Sequence, residues 1–387
     1  MPLPLSYNLK NLTVRKTTTV MTALGIGLTV AVLLGILALV GGLEKALQAT
    51  GHPLHLLVMR KNSISELVSQ VTREAVSNIR NKPGIQQLDG EPMVSPEIVT
   101  VINLPRHNSP EGANVNIRGL SPMGIRMRPN LKLIEGRWFR PGQREVVVGK
   151  SIARRYVNAE VGDRLRFGRG DWSVVGVLDA GSTAFDSEIW VGLNQLATDS
   201  NRMEVLSSVL VRAADPVSLQ ALQNALADDQ RLYLEGKREV DYYQEQTASA
   251  EPVKFLGIFV AVIMAVGSCF AAMNTMYAAV ARRSREIGTL RVLGFSGGSI
   301  LLAFVIESLL LSLLGGLIGV LLVLPLHGLE SGIGNNLTFS ETGFDFRLSP
   351  AIVALGVGFA SIMGLLGGLL PARGAARESI LNALREL

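Results

Sequence analysis

Residues 20–40 read VMTALGIGLTVAVLLGILALV, and how that run is interpreted decides the fold. It is long enough to cross a bilayer, which takes roughly 20 apolar residues. Lys10, Arg15 and Lys16 precede it, as basic residues precede the core of a signal peptide. A signal core holds only roughly 7–15 apolar residues and ends at a small-residue cleavage site. This run is longer, no clean A-x-A site follows it, and it reads as a retained membrane helix.

Three further runs, at 257–280, 300–326 and 351–370, are long enough to span. The composition agrees: 48% of the residues are apolar and 18% charged, and the mean hydropathy is +0.32. A soluble fold could not bury that load, so lipid is the solvent for part of the chain. The single cysteine, Cys269, lies in an apolar run, which excludes an internal disulfide and a thiolate zinc site.

Orientation follows from the Lys/Arg bias of the short connections. The segment 1–19 carries Lys10, Arg15 and Lys16; the loop 281–299 carries Arg282, Arg283, Arg285 and Arg291; the tail carries Arg373, Arg377 and Arg385. The connection between the third and fourth runs instead carries Glu330, Glu341 and Asp345 against Arg347. Both termini and the middle loop are therefore predicted to be cytoplasmic, with residues 41–254 outside. That outer segment holds 26 basic and 25 acidic residues, so the excess positive charge sits on the cytoplasmic pieces. The pI of 9.4 thus reports topology. Nucleic-acid binding is not indicated, because no basic face with stacking aromatics is visible.

About 210 residues between the first two helices can bury a core of their own. Strand-like runs bounded by turn residues recur at 96–103, 113–120, 144–149, 164–168, 172–178 and 207–212, with helical stretches at 63–79, 216–227 and 239–249. The prediction is a membrane α-helical protein of four transmembrane helices, with a large α+β extracytoplasmic domain in two lobes between helices 1 and 2. The turn-rich segment 104–112 reads as an exposed loop.

Several chemical motifs fail on inspection. Gly149-Lys150-Ser151 lacks the glycine that a phosphate loop needs at position 144, which is Arg144. Gly294-Phe295-Ser296-Gly297-Gly298 satisfies G-x-S-x-G but lacks the preceding strand and the His and acid partners, and reads as a helix C-terminal turn. His52 and His55 have no further ligand cluster beside them, so no metal site is predicted. No catalytic residues are indicated.

The informative stretch is Arg282-Arg283-Ser284-Arg285-Glu286-Ile287-Gly288-Thr289-Leu290-Arg291-Val292-Leu293-Gly294. Ile287, Leu290 and Leu293 recur every three residues, and Arg285, Glu286 and Arg291 supply charge, so a short surface helix is expected. Taken alone, the pattern fits a basic interfacial anchor as well as a surface that presents side chains to a partner.

Residues 274–319 resemble the FtsX-like domain of MacB/FtsX-type (type VII) ABC transporter permeases. The run Arg285, Glu286, Ile287, Gly288, Thr289, Leu290, Arg291, Leu293 and Gly294 resembles that family's coupling helix. Ile306-Glu307-Ser308 and Leu313-Leu314-Gly315-Gly316-Leu317-Ile318-Gly319 resemble its third membrane helix, and Leu370-Pro371-Ala372-Arg373 its C-terminal signature. Glu135-Gly136-Arg137-Trp138-Phe139 and Gly162-Asp163 resemble the MacB periplasmic core.

The resemblance implies a cytoplasmic N-terminal segment (1–19), a first helix (20–40), a MacB-like domain (41–254) and an FtsX-like permease domain (255–387). It implies a bacterial inner-membrane location and no cofactor in this chain, ATP and Mg being bound by a separate cytoplasmic ATPase dimer. It also implies a second permease chain, identical or related, and leaves room for an extracytoplasmic adaptor or substrate protein. The expected function is the transmembrane subunit of an ABC transporter that extracts or exports an amphiphile through movements of the outer domain. The alternative is a signalling module that regulates an envelope enzyme such as a cell-wall hydrolase.

Membrane residues add two expectations. Ala23, Gly27, Ala31 and Gly35 form a small-residue stripe, and Gly315 with Gly319 gives G-x-x-x-G, so both are expected at a helix–helix or dimer seam. Asn274 and Glu307 are intramembrane polar residues; Glu307 is expected to brace its helix against the loop arginines rather than carry protons.

Overall fold

The computed structural model describes residue 14 and residues 16–107, 109–335 and 337–377. Lys10, Arg15 and Arg385, which enter the charge argument, lie outside the described residues. The chain forms two units. The membrane unit holds the residues up to Gly41, Pro252–Leu329 and those from Phe346 onward; the inserted domain holds Gly42–Glu251 and Glu330–Asp345. The chain therefore crosses between them four times.

Among the described residues, four helices are long and apolar enough to cross a membrane: α1 (Lys16–Gln48), α2 (Glu251–Arg282), α4 (Gly297–Val323) and α5 (Pro350–Arg377). The short α3 (Ser284–Val292) joins α2 to α4. Small residues let the backbones approach. A Cβ on Gly27 would stand 3.0 Å from the Gly315 carbonyl, and one on Gly319 would stand 2.8 Å from the Gly27 carbonyl. Cβ atoms on Gly364 and Gly368 would collide with the hydroxyls of Ser312 and Ser308.

Part of the stripe is packed within the chain. Ala23 and Gly27 meet α4 of the same chain, and Ala31 packs against the core of Ile26, Val30 and Leu34. Gly315 and Gly319 are the other half of that crossing, so the close approach they permit is spent within the chain. Of the stripe, Gly35 has open space where a Cβ would stand. Each membrane helix keeps exposed apolar side chains, and on α2 Phe255, Leu256, Phe259, Ile263 and Phe270 are all more than half exposed. Asn274 lies on the exposed surface of the same helix.

The inserted domain is built on one ten-stranded mixed sheet. Its strands are β1 (His55–Arg60), β2 (Val94–Arg106), β3 (Ser109–Leu120), β4 (Lys132–Gly136), β5 (Glu145–Gly149), β6 (Arg164–Phe167), β7 (Gly170–Asp179), β8 (Glu188–Gly192), β9 (Ser208–Arg212) and β10 (Leu234–Arg238). The order is β10-β1-β9-β2-β3-β8-β5-β7-β4, with β6 paired to β7. Parallel pairing of β3 with β8, Ile117 opposite Ile189, makes the sheet continuous where two lobes were expected. Side chains alternate across a strand, so Ile98, Ile117 and Ile189 enter the apolar core, while Glu97, Arg118 and Glu188 project from the other face and are also buried.

Two further expectations change. The helix expected at 63–79 is confined to Arg73–Arg80: Val71 and Thr72 pair with Leu206 and Val205, and Ser69 and Glu66 are drawn into side-chain hydrogen bonds. Segment 104–112 is largely strand, with Leu104 buried and paired to Ala113. Within 255–387, residues 330–345 form a hairpin, β11 (Glu330–Asn335) and β12 (Ser340–Asp345), that packs with the inserted domain. Glu341 on that hairpin takes the guanidiniums of Arg106 and Arg155 and the hydroxyl of Tyr156 at 3.3 Å. The Gly343 amide donates to Ser187 Oγ at 2.7 Å. At Gly42, a Cβ would collide with the Asp345 carbonyl, so only glycine fits where the start of the inserted domain meets the end of β12.

Candidate functional site

The chain leaves α2 at Arg282, breaks helical geometry for one residue, Arg283 (φ −107°, ψ 11°), and resumes as α3. Arg283 turns its side chain into the membrane unit, where its Nη1 donates to Glu307 Oε2 at 2.9 Å. Both side chains are about 93–94% buried. The guanidinium also lies over the Phe304 ring at 5.1 Å and donates through Nε to Glu286 at 3.2 Å. Removing Arg283 would take from the buried Glu307 carboxylate its guanidinium partner, whereas removing Glu307 would leave Arg283 with Glu286. Arg283, which the sequence shows only as one of four loop arginines, is therefore the residue that fixes α3 to α4.

On α3, Ile287 is 3% exposed and packs with Met276, Val280, Ile300, Phe304, Ala372 and Ala375. Ser284 and Gly288 share its buried side. The expected single stripe of Ile287, Leu290 and Leu293 does not form. Leu290 is half-buried, and Leu293 is 71% and Val292 62% exposed. Arg285, Glu286 and Thr289 occupy the outward face, with Arg291 half-buried. Glu286 stands in the first turn and Arg291 in the last, the placement that complements a helix dipole.

Gly294 ends the segment with φ +94°, a left-handed position that glycine adopts without strain, and the Phe295 amide returns to the Leu290 carbonyl at 3.1 Å. Ser296 caps α4 by accepting from the Ser299 amide at 3.2 Å. The G-x-S-x-G match is thus a helix stop followed by a helix start.

The inserted domain holds a second constellation, which the sequence reading missed. Arg118 on β3 is 2% exposed and donates to Glu66 (2.9 Å), Glu97 (2.8 Å), Glu188 (2.8 Å) and the Tyr243 hydroxyl (3.3 Å). Arg128 donates to Glu97 at 2.7 Å and approaches Glu239 at 3.6 Å, and His55 Nδ1 lies 2.7 Å from Glu239. Burial alone would raise the Glu97 pKa, but the adjacent Arg128 and Arg118 outweigh it and hold the carboxyl at about 2. Glu239 is likewise held down: burial works against it, and His55 and Arg128 prevail. The signal for this network was the charge inside each apolar strand: Glu97 in VSPEIVTV, Arg118 in VNIRGL, Glu188 in EIWVG. Among the described residues, no group of three or more His, Cys, Asp or Glu could hold a metal ion.

Comparison with known proteins matches residues 19–229 to the MacB-like periplasmic core domain and residues 258–380 to the FtsX-like permease C-terminal domain. The chain is 25% identical to the macrolide export ATP-binding/permease protein MacB of Bdellovibrio bacteriovorus, covering 98% of this chain and 61% of the relative. It is 26% identical to the uncharacterized ABC transporter permease YknZ of Bacillus subtilis, covering 97% of each. The chain thus spans about three fifths of that MacB relative's length and nearly all of YknZ. The solved extracellular domain of YknZ from Gram-positive bacteria aligns over 47% of this chain and 99% of its own, with 18% identity and a TM-score of 0.36. Four apolar helices with an α+β periplasmic-type domain between the first and second, matched along most of their length by these two family models, make the chain a multi-pass membrane protein that belongs to the MacB/FtsX-type ABC transporter permeases.

Proposed function

We propose that the chain is the permease subunit of an ABC complex in which a separate cytoplasmic ATPase docks on α3 and drives movements of the inserted domain. The observation that carries this reading is the construction of α3: an amphipathic helix fixed from inside by Arg283–Glu307 and presenting Val292 and Leu293 outward. The four chain crossings give each membrane helix a covalent route to the inserted domain. The substrate class is a hydrophobic or amphiphilic compound handled by the inserted domain, with a second permease chain completing the assembly in the bacterial inner membrane.

Docking is tested by Leu293→Asp. Because Leu293 is 71% exposed, the substitution leaves the fold intact. Truncating an apolar anchor at a contact typically weakens association by about tenfold or more. The expected result is loss of ATPase copurification with unchanged thermal unfolding; full ATPase binding would reduce α3 to an interfacial anchor.

Orientation is tested by single cysteines in a Cys269→Ser chain. Val217 and Phe339 are 80% and 60% exposed, and cysteines there should react with an impermeant maleimide in intact spheroplasts. A cysteine at Leu293 should react only after permeabilisation. The reverse pattern would place α3 outside and remove the docking argument.

A further inference from the structure

The β11–β12 hairpin lies between α4 and α5 in the chain, yet it packs with the inserted domain. Its attachment is unlike that of the other strands. β11 and β12 carry one large apolar residue each, Ile333 and Phe344. Among the described residues, the apolar core of the inserted domain takes no member from the hairpin.

Polar contacts fasten it instead. Glu341, whose side chain is 4% exposed, receives Arg106 from the end of β2 and Arg155 from the end of the helix Lys150–Arg155. Arg154 of the same helix donates to Glu330 at 2.5 Å, and Ser182 Oγ donates to Asp345 at 3.3 Å. Asn335 donates to Gln246 at 3.2 Å, and Asn114 to the Phe339 carbonyl at 3.0 Å. Two glycines make room for Arg155. Gly332 stands opposite Gly343 across the hairpin; a Cβ on the first would lie 2.5 Å from Arg155 Nη2, and one on the second 3.0 Å from Arg155 Nη1. An acidic hairpin is thus seated on a ridge formed by Arg106, Arg154 and Arg155.

A segment attached in this way is ordered by its partners but weakly held. Its hydrogen bonds replace bonds to water, and desolvation offsets much of the attraction within a buried ion pair. Apolar burial, the dominant favourable term in folding, contributes little here. Release strands no charge: the Arg106 and Arg154 side chains are already 33% and 66% exposed, and Glu341 leaves with the hairpin. A two-stranded hairpin alone is marginal in water, so once released it loses its own pairing as well.

We propose that the hairpin is an ionic clasp that opens as a unit while the ten-stranded sheet stays folded. Closed, it ties the α4–α5 connection to the inserted domain. Open, that connection is a slack loop, and the domain is held through the crossings after α1 and before α2. The proposal goes beyond ATPase docking at α3, since opening is read without ATP, ATPase or a second chain, and either can fail without the other.

The test is hydrogen exchange of the full chain in lipid nanodiscs, read by mass spectrometry on peptides covering residues 330–345, β5 and β9. Both β5 and β9 are paired on each side within the sheet. In the wild-type chain the hairpin amides should exchange at least about tenfold faster than those of β5 and β9, as a locally opening segment does. Glu341→Gln keeps the side-chain shape and removes the charge. It should raise hairpin exchange a further ten- to hundredfold or so, about the weight of a hydrogen bond to a charged group, and leave β5 and β9 unchanged. Wild-type hairpin exchange as slow as that of β5 would overturn the clasp. So would a Glu341→Gln chain whose hairpin exchange is unchanged, or one in which β5 and β9 rise with it because the whole domain has unfolded.

Discussion

Replacing Arg118 with methionine is expected to unfold the inserted domain under conditions where the wild-type chain is stable. The substitution leaves Glu66, Glu97 and Glu188, each at most 3% exposed, facing one another with Arg128 as the nearest remaining guanidinium on Glu97. Breaking a buried ion pair by removing one partner costs about 3–5 kcal/mol. That is a large share of the roughly 5–15 kcal/mol that holds a typical domain. Thermal unfolding of the full chain in nanodiscs checks it. Adding Glu188→Gln to Arg118→Met should recover part of the loss, because it removes one stranded charge. An Arg118→Met chain as stable as wild type would mean the network contributes little.

The same network predicts an acid limit. Glu97 has its pKa depressed from the ordinary 4.5 to about 2 in the folded chain. Its stabilisation is therefore complete above about pH 4.5 and is lost as pH falls toward about 2.

The second large effect is expected at the base of α3. Arg283→Ala strands the buried Glu307 carboxylate within the membrane unit, again about 3–5 kcal/mol by the same argument, while Glu307→Ala leaves Arg283 with Glu286 and costs less. The Arg283→Ala/Glu307→Ala pair strands neither and should unfold at a higher temperature than Arg283→Ala alone, the non-additivity of residues in direct contact. All three should lose stimulation of the ATPase, because α3 then lacks its tie to α4. Additive effects of the two single changes would show that the ion pair does not anchor the helix.

The membrane helices were legible because an apolar run of bilayer length would be insoluble anywhere but in lipid or a large protein core. Strands such as β3 and β7 were legible because alternation and turn residues bound them. β8 was not: EIWVG is short, and Glu188 interrupts the apolar pattern because it answers Arg118 rather than solvent. The β11–β12 hairpin was hidden for a similar reason. Its sequence is glycine-rich and polar, and its order comes from Arg106, Arg155, Tyr156 and Ser187, far away along the chain.

On α3, a spacing of three suggests a single face, but each step of three falls roughly 60° short of a full turn. Ile287 and Leu293 therefore differ by roughly 120°, and one is buried while the other is exposed. Arg283 and Glu307 were both visible as unusual charges. That Glu307 would meet a loop arginine was expected; which of the four it would be was not, because 24 positions separate it from Arg283 and only the packing of α3 on α4 brings them together.

The central claim is that nucleotide events at α3 move the inserted domain. Spin labels at Val217 of the two permease chains in the assembled complex, measured by pulsed electron resonance with and without ATP, test it most directly. ATP should shift the distance distribution in the wild-type complex, and Arg283→Ala should abolish the shift. An unchanged distribution while the ATPase turns over, or a shift that persists in Arg283→Ala, would contradict it.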